Sequence, residues 1–381
     1  MAYGVWLAIV LLAAGGVHAA EPGAAPPQVR PLGRYPLCEA SGARLVQCDS
    51  ISSHVCLLVA DNEQGETLFS FPTDADGATG DGEPVELATA KGQLKDIEAI
   101  ETLPDRTILL LGSHSRRSWD SDKRCKLDDE RQSFGVFLRT GTVLTGALVS
   151  TDAERWKTLL SKNGCATELI AFGDVRQASR LRRDLCTALA QANELAETSA
   201  ALCSASLNLE GAAVLPDRRI WFGVRSPVLQ GKAFVLRLKS VKALQFDAIA
   251  SLDLGGAGVR DMAAANGWLW VLAGPAADRA ENGTLWKLPA ASLTNGAELS
   301  PQQVTTAVPL PPFSEGLAID VAGKRAFIVV DGDAKGGKQT GKCKQDAGQL
   351  VLPLDLSPPV TDTPTPAAEA TPVPATAAPQ P

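Results

Sequence analysis

The stretch that decides the fold is "NLEGAAVLPDRRIWFGVRSP", Asn208 to Pro227. It reads as two apolar strands around Leu-Pro-Asp-Arg, and Pro followed by Asp suits the centre of a type I turn. The stretch "KDIEAIETLPDRTILLLGSHSR", Lys95 to Arg116, carries the same turn earlier in the chain. Each stretch has an acidic residue near its start and an arginine near its end. The sequence therefore predicts a repeated β-hairpin with charged ends.

Two later segments repeat the pattern, with Asp261 before "LWVLAG" and Glu315 before "FIVVDG". Their turns are "AANG" and "VAGK", and Asn-Gly is typical of a type I′ hairpin. Glu210, Asp261 and Glu315 are spaced by 51 and 54 residues, close to the period of propeller blades. We predict an all-β fold, a β-propeller of about five or six blades, with "GQLVLPLDL" as a candidate strand for closing the ring.

The interval from Glu98 to Glu210 is about twice this period, which indicates an insertion. Thr151 and Glu154 form a capping-box pattern before a first helix, and Asp174 can cap a second. Apolar residues follow at helical spacing: Trp156, Leu159, Leu160, Ala178, Leu181, Leu185 and Leu189. We therefore predict a helical insertion over residues 151–207.

The two ends of the chain differ in composition from the middle. An apolar run and small residues before position 20 indicate a signal peptide over residues 1–19. A Pro- and Gly-rich flexible leader is expected over 20–37, and the propeller over 38–357. The Pro-, Thr- and Ala-rich segment 358–381 has no large apolar residue and predicts a disordered tail.

Charge and cysteine content limit the class of protein. A formal net charge of −7 and a pI near 5.2 argue against nucleic-acid binding. No segment after the signal is long and apolar enough for a transmembrane helix. Eight cysteines in a chain with an export signal favour disulfides, and Cys125 and Cys343 are a candidate pair. The protein is expected to be secreted or periplasmic.

The hairpins predict where a ligand would bind. In a blade the first strand lines the central channel and the second returns beside it, so the start of one and the end of the other share a face. The candidate ligand-binding residues at this channel mouth are Glu98, His114, Arg116, Glu210, Arg225, Arg260, Asp261 and Glu315.

Carboxylates gathered in a partly dehydrated mouth repel one another and need compensation. Three arrangements are open. In the first, each acid binds backbone N–H groups or an arginine of the next blade and so locks the ring. In the second, a hard cation such as Ca²⁺ binds the set Glu98, Glu210, Asp261 and Glu315. Alternatively, carboxylates and arginines together hold a polar organic ligand.

Several motifs in the same order resemble a known family. They are "DIEAI" with "LGSHSR", "NLEGAAV" with "GVRSPVLQGKAFVLRL", "LDLGGAGVRDMA" with "WVLAGP", and "FSEGLAI". Together they resemble the bacterial domain-of-unknown-function family thirty-six sixteen, over about Asp96 to Asp331. The resemblance implies a propeller-like, often exported domain without an established activity. More distantly, the chain is similar to the esterase-like domains named after phytase, and its Glu-Gly pairs to propeller lactonases in which such a Glu binds a metal.

The function expected from these observations is that of an exported binding or interaction module with an acidic channel mouth. Its partner would be a small molecule or an envelope protein. The alternative is a metal-dependent hydrolase of phosphoesterase or lactonase type that uses the same mouth.

Overall fold

The computed structural model describes residues 27–33, 37–48, 54–62, 67–89, 93–118, 125–173, 175–196, 206–277, 279–332 and 347–359. In chain order the strands are β1 (Arg30–Pro31), β2 (Ala40–Gln47), β3 (Val55–Asp61), β4 (Thr67–Pro72), β5 (Glu83–Thr89), β6 (Ile97–Thr102), β7 (Ile108–Gly112), β8 (Arg117–Ser118), β9 (Cys125–Lys126), β10 (Ser133–Thr140), β11 (Val143–Ser150), β12 (Asn208–Val214), β13 (Ile220–Leu229), β14 (Lys232–Ser240), β15 (Ala243–Asp253), β16 (Gly258–Ala265), β17 (Trp268–Gly274), β18 (Thr284–Pro289), β19 (Glu298–Leu299), β20 (Gln302–Gln303), β21 (Ser314–Asp320), β22 (Arg325–Val330) and β23 (Gly348–Pro353). The helices are α1 (Ala153–Leu160), α2 (Lys162–Gly164) and α3 (Arg176–Ala196), with a π-helical turn at Cys165–Leu169 and a 3₁₀ turn at Ala290–Ser292.

The strands form five blades around a central channel. Blade 1 is β2 to β5, blade 2 is β6, β7, β10 and β11, and blade 3 is β12 to β15. Blade 4 is β16, β17, β18 and β20, and blade 5 is β21 to β23 with β1. The first strands β2, β6, β12, β16 and β21 contact one another in that order, and β21 contacts β2. The ring is closed, and the predicted β-propeller is confirmed with five blades.

Residues from both ends of the described chain close the ring in blade 5. The predicted closing strand is β23, and β1 pairs beside it through Arg30 with Gln349 and Pro31 with Gly348. Leu32 is buried against the same blade. Residues 30–32 thus belong to the propeller, although the sequence analysis placed them in a flexible leader. Two paired residues and one apolar anchor carry too little periodicity to be read as a strand.

The hairpins join on one face of the propeller, which we call the lower face. In both Leu-Pro-Asp-Arg turns the arginine N–H donates 2.8 Å to the leucine carbonyl, and the arginine adopts a left-handed φ. Asn266 and Gly267 both have positive φ, as a type I′ turn requires. The predicted turn chemistry is therefore observed at the lower face.

At the opposite, upper face, every first strand carries a β-bulge near its start. The pairing register shifts near the start of each of β2, β6, β12, β16 and β21, once in four of them and twice in β12. The bulged residues are Ser41, Glu98, Glu210, Arg260 and Glu315. A bulge re-aims one side chain without ending the strand, and here it turns one residue of each blade toward the channel mouth.

The glycine after the bulge explains the Glu-Gly pairs in the sequence. Gly211 has a φ of +79°, and a Cβ there would lie 2.7 Å from the Cα of Asp261 in the neighbouring first strand. A Cβ on Gly316 would lie 2.6 Å from the carbonyl oxygen of Ser41. Glycine at these positions lets adjacent blades approach closely at the ring centre.

A single arginine fills the channel below the bulges. Arg44 of β2 is 7% exposed, and its guanidinium donates to one carbonyl in each of the other four first strands. The acceptors are Ile100 at 2.8 Å, Ala212 at 2.9 Å, Met262 at 2.7 Å and Leu317 at 3.4 Å. Each acceptor lies two residues after the bulged residue of its strand. We call this arrangement the arginine plug.

The insertion between blades 2 and 3 is helical, as predicted. Trp156, Leu159 and Leu160 of α1 are buried, as is the predicted apolar stripe of α3. The cap of α1 is Asp152, whose side chain accepts from the Arg155 N–H at 2.8 Å, so Thr151 is not the cap. Asp174, the cap predicted for α3, lies outside the described residues. The disulfide Cys165–Cys186 joins the two parts of the insertion.

The described cysteines are all disulfide-bonded. A second bond joins Cys48 to Cys56 across the β2–β3 connection. Cys38 and Cys125 each take part in a disulfide bond as well. The predicted Cys125–Cys343 pair involves Cys343, which lies outside the described residues. The prediction that the protein contains disulfides is confirmed. In the described part of the chain, no helix has the length and apolar character needed to cross a membrane.

Replacing Arg44 by alanine should destabilise the whole ring. It leaves four inner carbonyls without their donor and removes the positive charge facing two buried carboxylates, a change that typically costs roughly 3–5 kcal/mol. Urea unfolding of Arg44→Ala should show this loss, whereas exposed Arg176→Ala should stay within about 0.5 kcal/mol of wild type. A loss at Arg44 as small as that at Arg176 would contradict a structural role for the plug.

Candidate functional site

The upper face brings five charged side chains together at the channel mouth. Glu98, Glu210, Arg260 and Glu315 come from the bulges, and Arg225 comes from β13, the second strand of blade 3. We call these five residues the acidic mouth. All five were predicted, and the bulge explains why they converge.

A chain of ion pairs connects three blades at this mouth. Arg225 Nη1 lies 2.8 Å from Glu210 Oε1 within blade 3. Arg260 Nη1 of blade 4 lies 3.4 Å from Glu210 Oε2 and 2.6 Å from Glu315 Oε2 of blade 5. Asn208 adds a hydrogen bond of 2.8 Å to Glu210. These contacts match the arrangement in which acids and arginines of neighbouring blades lock the ring.

Glu98 differs from the other two glutamates. It is half-buried, and its hydrogen-bond partner is the side-chain amide of Asn62, at 3.5 Å. Among the described residues, no lysine, arginine or histidine lies within ion-pairing distance of it. Burial raises the pKa of Glu98 well above its usual value, nearby Glu210, Asp96 and Glu315 raise it further, and Arg225 opposes the shift. Glu98 is therefore the least compensated carboxylate of the mouth.

Asp261 does not face the mouth, contrary to the prediction. In blade 4 the bulged residue is Arg260, so Asp261 lies one residue further along and points between blades. Its carboxylate accepts from the N–H of Met262 and from the N–H of Leu317 in blade 5, both at 2.7 Å. It also lies 3.8 Å from Arg44. The sequence analysis aligned Asp261 with Glu210, whereas in the structure Arg260 has the position of Glu210. The bulge that causes this difference of one residue is not visible in the sequence.

Asp261 and Glu101 share the arginine plug. Glu101 Oε2 lies 3.5 Å from Arg44 Nη2, and its carboxylate also accepts from the Val214 N–H. Burial raises the pKa of Asp261 to about 7, and Arg44 and the backbone N–H groups oppose that shift. Burial likewise raises the pKa of Glu101. Two ionised carboxylates facing one guanidinium would leave a net negative charge in the channel, and the raised pKa values oppose that charge.

His114 lies in the core beside the insertion and not in the mouth. Its ring packs on Trp156 with 5.3 Å between centroids, and the residue is 1% exposed. Its Nδ1 lies 2.7 Å from the Gly112 carbonyl oxygen, which can only accept, so Nδ1 carries the proton. Burial lowers the pKa of His114 to about 4. A neutral, enclosed imidazole supports packing and has no access to a ligand at the mouth.

Arg116 is also directed away from the mouth. Its guanidinium donates to the Cys125 carbonyl at 3.1 Å and to the Asn193 side chain of α3. Its backbone N–H donates to Ser206 at 3.3 Å. Arg116 therefore anchors the helical insertion on blade 2. His114 and Arg116 do follow the second strand of blade 2, as predicted. Their side chains, however, point toward the helical insertion and not toward the channel mouth.

The four residues proposed from the sequence to bind Ca²⁺ are not arranged as a metal site. Asp261 faces the arginine plug, and Glu210 and Glu315 are both bound by Arg260. Within the described ranges, no group of three His, Cys, Asp or Glu side chains has the geometry to hold a metal ion. A second cation at Glu210 or Glu315 would also be repelled by the guanidinium already there.

A surface cavity of about 440 Å³ adjoins the mouth on the upper face. It lies between blades 3 and 4, and Gly274 separates it from Arg260, since a Cβ there would lie 3.1 Å from the arginine Cγ. Its lining combines a half-buried tryptophan with exposed polar side chains: Trp286, Arg279, Glu281, Asn282 and Gln303. The upper face thus offers a concave surface beside the charged mouth.

The described residues form a five-bladed β-propeller whose channel is filled by an arginine, and three glutamates and two arginines lie together at its upper end. The family model described as "Protein of unknown function (DUF3616)" matches residues 81–332. The chain belongs to this family, as its motifs indicated. A search of curated proteins finds no match.

Several solved structures are similar over most of their length. The PQQ-bound aldose sugar dehydrogenase from Streptomyces coelicolor is 14% identical, with a TM-score of 0.39 over 88% of this chain and 99% of that one. A protein of unknown function from Dyadobacter fermentans is 10% identical, with a TM-score of 0.40 over 85% and 79%. The RS223 β-xylosidase is 10% identical, with a TM-score of 0.41 over 85% and 94%. Scores at this level transfer no activity, and the fold assignment rests on the sheet topology.

Asp261 should make the folded protein less stable as the pH rises from about 4 to about 7. The folded state keeps a proton that the unfolded chain releases near pH 4, so the free energy of unfolding falls across this window. Asp261→Asn removes this contribution. The difference in unfolding free energy between wild type and variant should therefore shrink, by roughly 2–4 kcal/mol, between pH 4 and pH 7.5.

Taking that difference separates Asp261 from the other titrating groups. The raised pKa values of Glu98 and Glu315 also make the folded state less stable as the pH rises. The lowered pKa of His114 has the opposite effect, because its contribution to folding stability is lost as the pH falls toward 4. These groups are present in both proteins. A difference that stays constant with pH would show that Asp261 is ionised throughout.

Chelation should leave the melting temperature unchanged. A divalent ion at a hundredfold excess over its Kd would add about 2.7 kcal/mol of stability, but Arg260 already occupies two of the candidate carboxylates. Scanning calorimetry with EDTA and with millimolar Ca²⁺ should give superimposable curves. A loss of stability in EDTA that Ca²⁺ restores would contradict this reading of the mouth.

Proposed function

We propose that this protein is an exported binding module that holds a polar organic ligand at the acidic mouth, with Glu98 as the anchoring carboxylate. The observation that carries the proposal is the environment of Glu98. It is a half-buried acid beside two other glutamates, held by Asn62, without an ion-pair partner among the described residues. A carboxylate in this position is stabilised by any cationic group that reaches it.

The charge balance of the mouth favours a ligand with a positive group. Three glutamates face two arginines, and both arginines are engaged by Glu210 and Glu315. An ammonium group bound at Glu98 would neutralise the excess and replace a proton. A ligand with only anionic groups would have to displace the existing ion pairs. We therefore propose an organic cation as the ligand class.

The pairs around Glu210 would position the ligand without binding it directly. Arg225 and Arg260 hold the two partner glutamates in fixed geometry, and preorganised charges lose little entropy on binding. The arginine plug lies directly below and closes the channel, so a ligand enters and leaves through the upper face. The adjoining cavity at Trp286 could receive a larger part of the same molecule.

The metal-dependent hydrolase is the weaker alternative. It needs several free carboxylates around one ion, whereas two of the four proposed ligands are bound by Arg260 and one faces Arg44. The five residues of the mouth also include no pair of a nucleophile and a base in hydrogen-bonding contact. Binding without chemistry accounts for the arrangement with fewer assumptions.

Export is proposed on the cysteines and the N-terminal pattern. Disulfide bonds persist in oxidising compartments, and six described cysteines are bonded. The predicted signal peptide lies outside the described residues. Together these observations support a secreted or periplasmic protein, with a small molecule as the partner of the mouth.

The ligand class can be tested with small ammonium compounds. Ethanolamine, putrescine and choline should be titrated into the purified protein by calorimetry or by NMR. We expect at least one to bind, and Glu98→Gln to weaken that binding about tenfold or more, because a charged hydrogen bond is lost. Affinity should also increase with pH, since burial raises the pKa of Glu98 and the acid must release its proton to bind a cation.

Glu83→Gln is the matched control, because Glu83 is an exposed glutamate at the start of β5. It should leave the affinity unchanged. The proposal would be overturned if no ammonium compound binds, or if Glu98→Gln and Glu83→Gln bind the probe equally well.

A further inference from the structure

The upper-face cavity between blades 3 and 4 adjoins the acidic mouth but shares none of its residues. Its walls come from the β15–β16 connection, from the end of β17 and from the segment that leads into β18. Gln303 of the outer strand β20 completes the lining. The volume of about 440 Å³ lies in the range of small-molecule sites. The cavity is therefore large enough for one small organic molecule.

Two glycines keep one wall of this cavity free of side chains. Gly255 and Gly256 have φ values of +67° and +89°, which residues with a Cβ rarely adopt. A Cβ built on either glycine would meet no heavy atom of the described residues within 4 Å, so the space beside them is open. A ligand can therefore approach the backbone closely along this wall.

Trp286 gives the cavity a flat apolar surface in a fixed orientation. The residue is half-buried and packs against the apolar core between blades 3 and 4. Its Nε1 donates 2.9 Å to Oγ1 of Thr284, which is also part of the lining. Because packing and the hydrogen bond already hold the indole, a ligand that stacks on it has little further ordering to impose.

The rim of the cavity supplies hydrogen-bonding groups whose charges cancel. Arg279 Nη1 lies 3.3 Å from Glu281 Oε1, and these are the charged residues of the described lining. Asn282 and Gln303 are exposed, and their side-chain amides make no hydrogen bond within the described part of the chain. Each amide offers two N–H donors and an acceptor oxygen. The lining thus favours a neutral ligand with several polar groups.

We infer that this cavity binds a neutral sugar ring, stacked on Trp286 and hydrogen-bonded by Asn282 and Gln303. A pyranose has a face of C–H groups, which packs on an indole, and a rim of hydroxyls that both donate and accept. An ionic ligand would meet no net charge among the described lining residues. A wholly apolar ligand would cover the two amides without bonding them, which is unfavourable. The inference does not rest on the organic cation proposed for Glu98.

Titration of neutral sugars into the full chain tests this inference. The probes are D-glucose, D-xylose, N-acetylglucosamine and cellobiose, each followed by saturation-transfer NMR up to about 50 mM. At least one of the four should bind with a Kd of roughly 10 mM or tighter. The absence of binding for all four would overturn the inference.

Variants of the outer strand β20 locate the bound sugar. Gln303→Ala should weaken its binding about threefold to tenfold, because a neutral hydrogen bond is lost. Gln302→Ala is the matched control, since Gln302 is the adjacent exposed residue of the same strand and does not line the cavity. It should leave the affinity unchanged. Equal affinities of the two variants would contradict binding in this cavity.

The stacking contact is measured with Trp286→Ala, which should weaken sugar binding about tenfold or more. Unchanged affinity in a folded Trp286→Ala protein would also overturn the inference. Trp286 packs on the core as well, so circular dichroism checks the fold of this variant. If it does not fold, the comparison of Gln303→Ala with Gln302→Ala decides the question.

Indole and uracil separate sugar recognition from stacking alone. Both are neutral and flat, and neither has a rim of hydroxyls. If either binds while the four sugars do not, the cavity is a site for aromatic compounds and the inference is wrong. All of these probes are uncharged, so their binding is measured independently of the ammonium compounds tested at Glu98, and either proposal can fail alone.

Discussion

The guanidinium of Arg44 holds the centre of this propeller together. It belongs to blade 1, yet it donates to a carbonyl in each of the other four first strands. Those carbonyls can converge on one group only if every first strand is bulged at the same height and adjacent strands approach closely. The glycines after the bulges allow that approach. Ring size, bulge position and the arginine plug are therefore one constraint, and a sixth blade would move the carbonyls beyond the reach of a single side chain.

The same geometry produces two charged layers, and among the described side chains named here each layer has one more carboxylate than arginines. In the plug, Glu101 and Asp261 face Arg44. In the mouth, Glu98, Glu210 and Glu315 face Arg225 and Arg260. Burial makes the extra charge costly, and the response is a raised pKa in both layers. The difference is access, because the plug is enclosed while Glu98 and Glu315 are partly exposed. Under the proposed function, only the upper layer is open enough to exchange its proton for a ligand.

The sequence revealed the repeat because turn chemistry and apolar strands are local signals. The two Leu-Pro-Asp-Arg turns and Asn266-Gly267 identified the hairpins, and the acids before them identified the mouth. Aligning the acids alone gave an error of one residue in blade 4, where Arg260 occupies the position of Glu210. Arg44 was missed altogether. "SGARL" aligns with "EGAAV" and "EGLAI" and could have indicated an arginine at the channel, but blade 1 has a serine in place of the acid.

Long-range contacts account for what the sequence could not show. His114 and Arg116 follow β7 as predicted, but their environment is set by α1 and α3, which lie far along the chain. The strand β1 is too short to read, and it exists because blade 5 needs an outer strand. These residues share one property, which is that their partners come from a different blade or from the insertion. The filled channel extends this logic to function, because it separates the two faces. A group bound at the upper mouth therefore has no direct contact with the lower turns. Any coupling between the two faces must pass through the first strands that Arg44 joins.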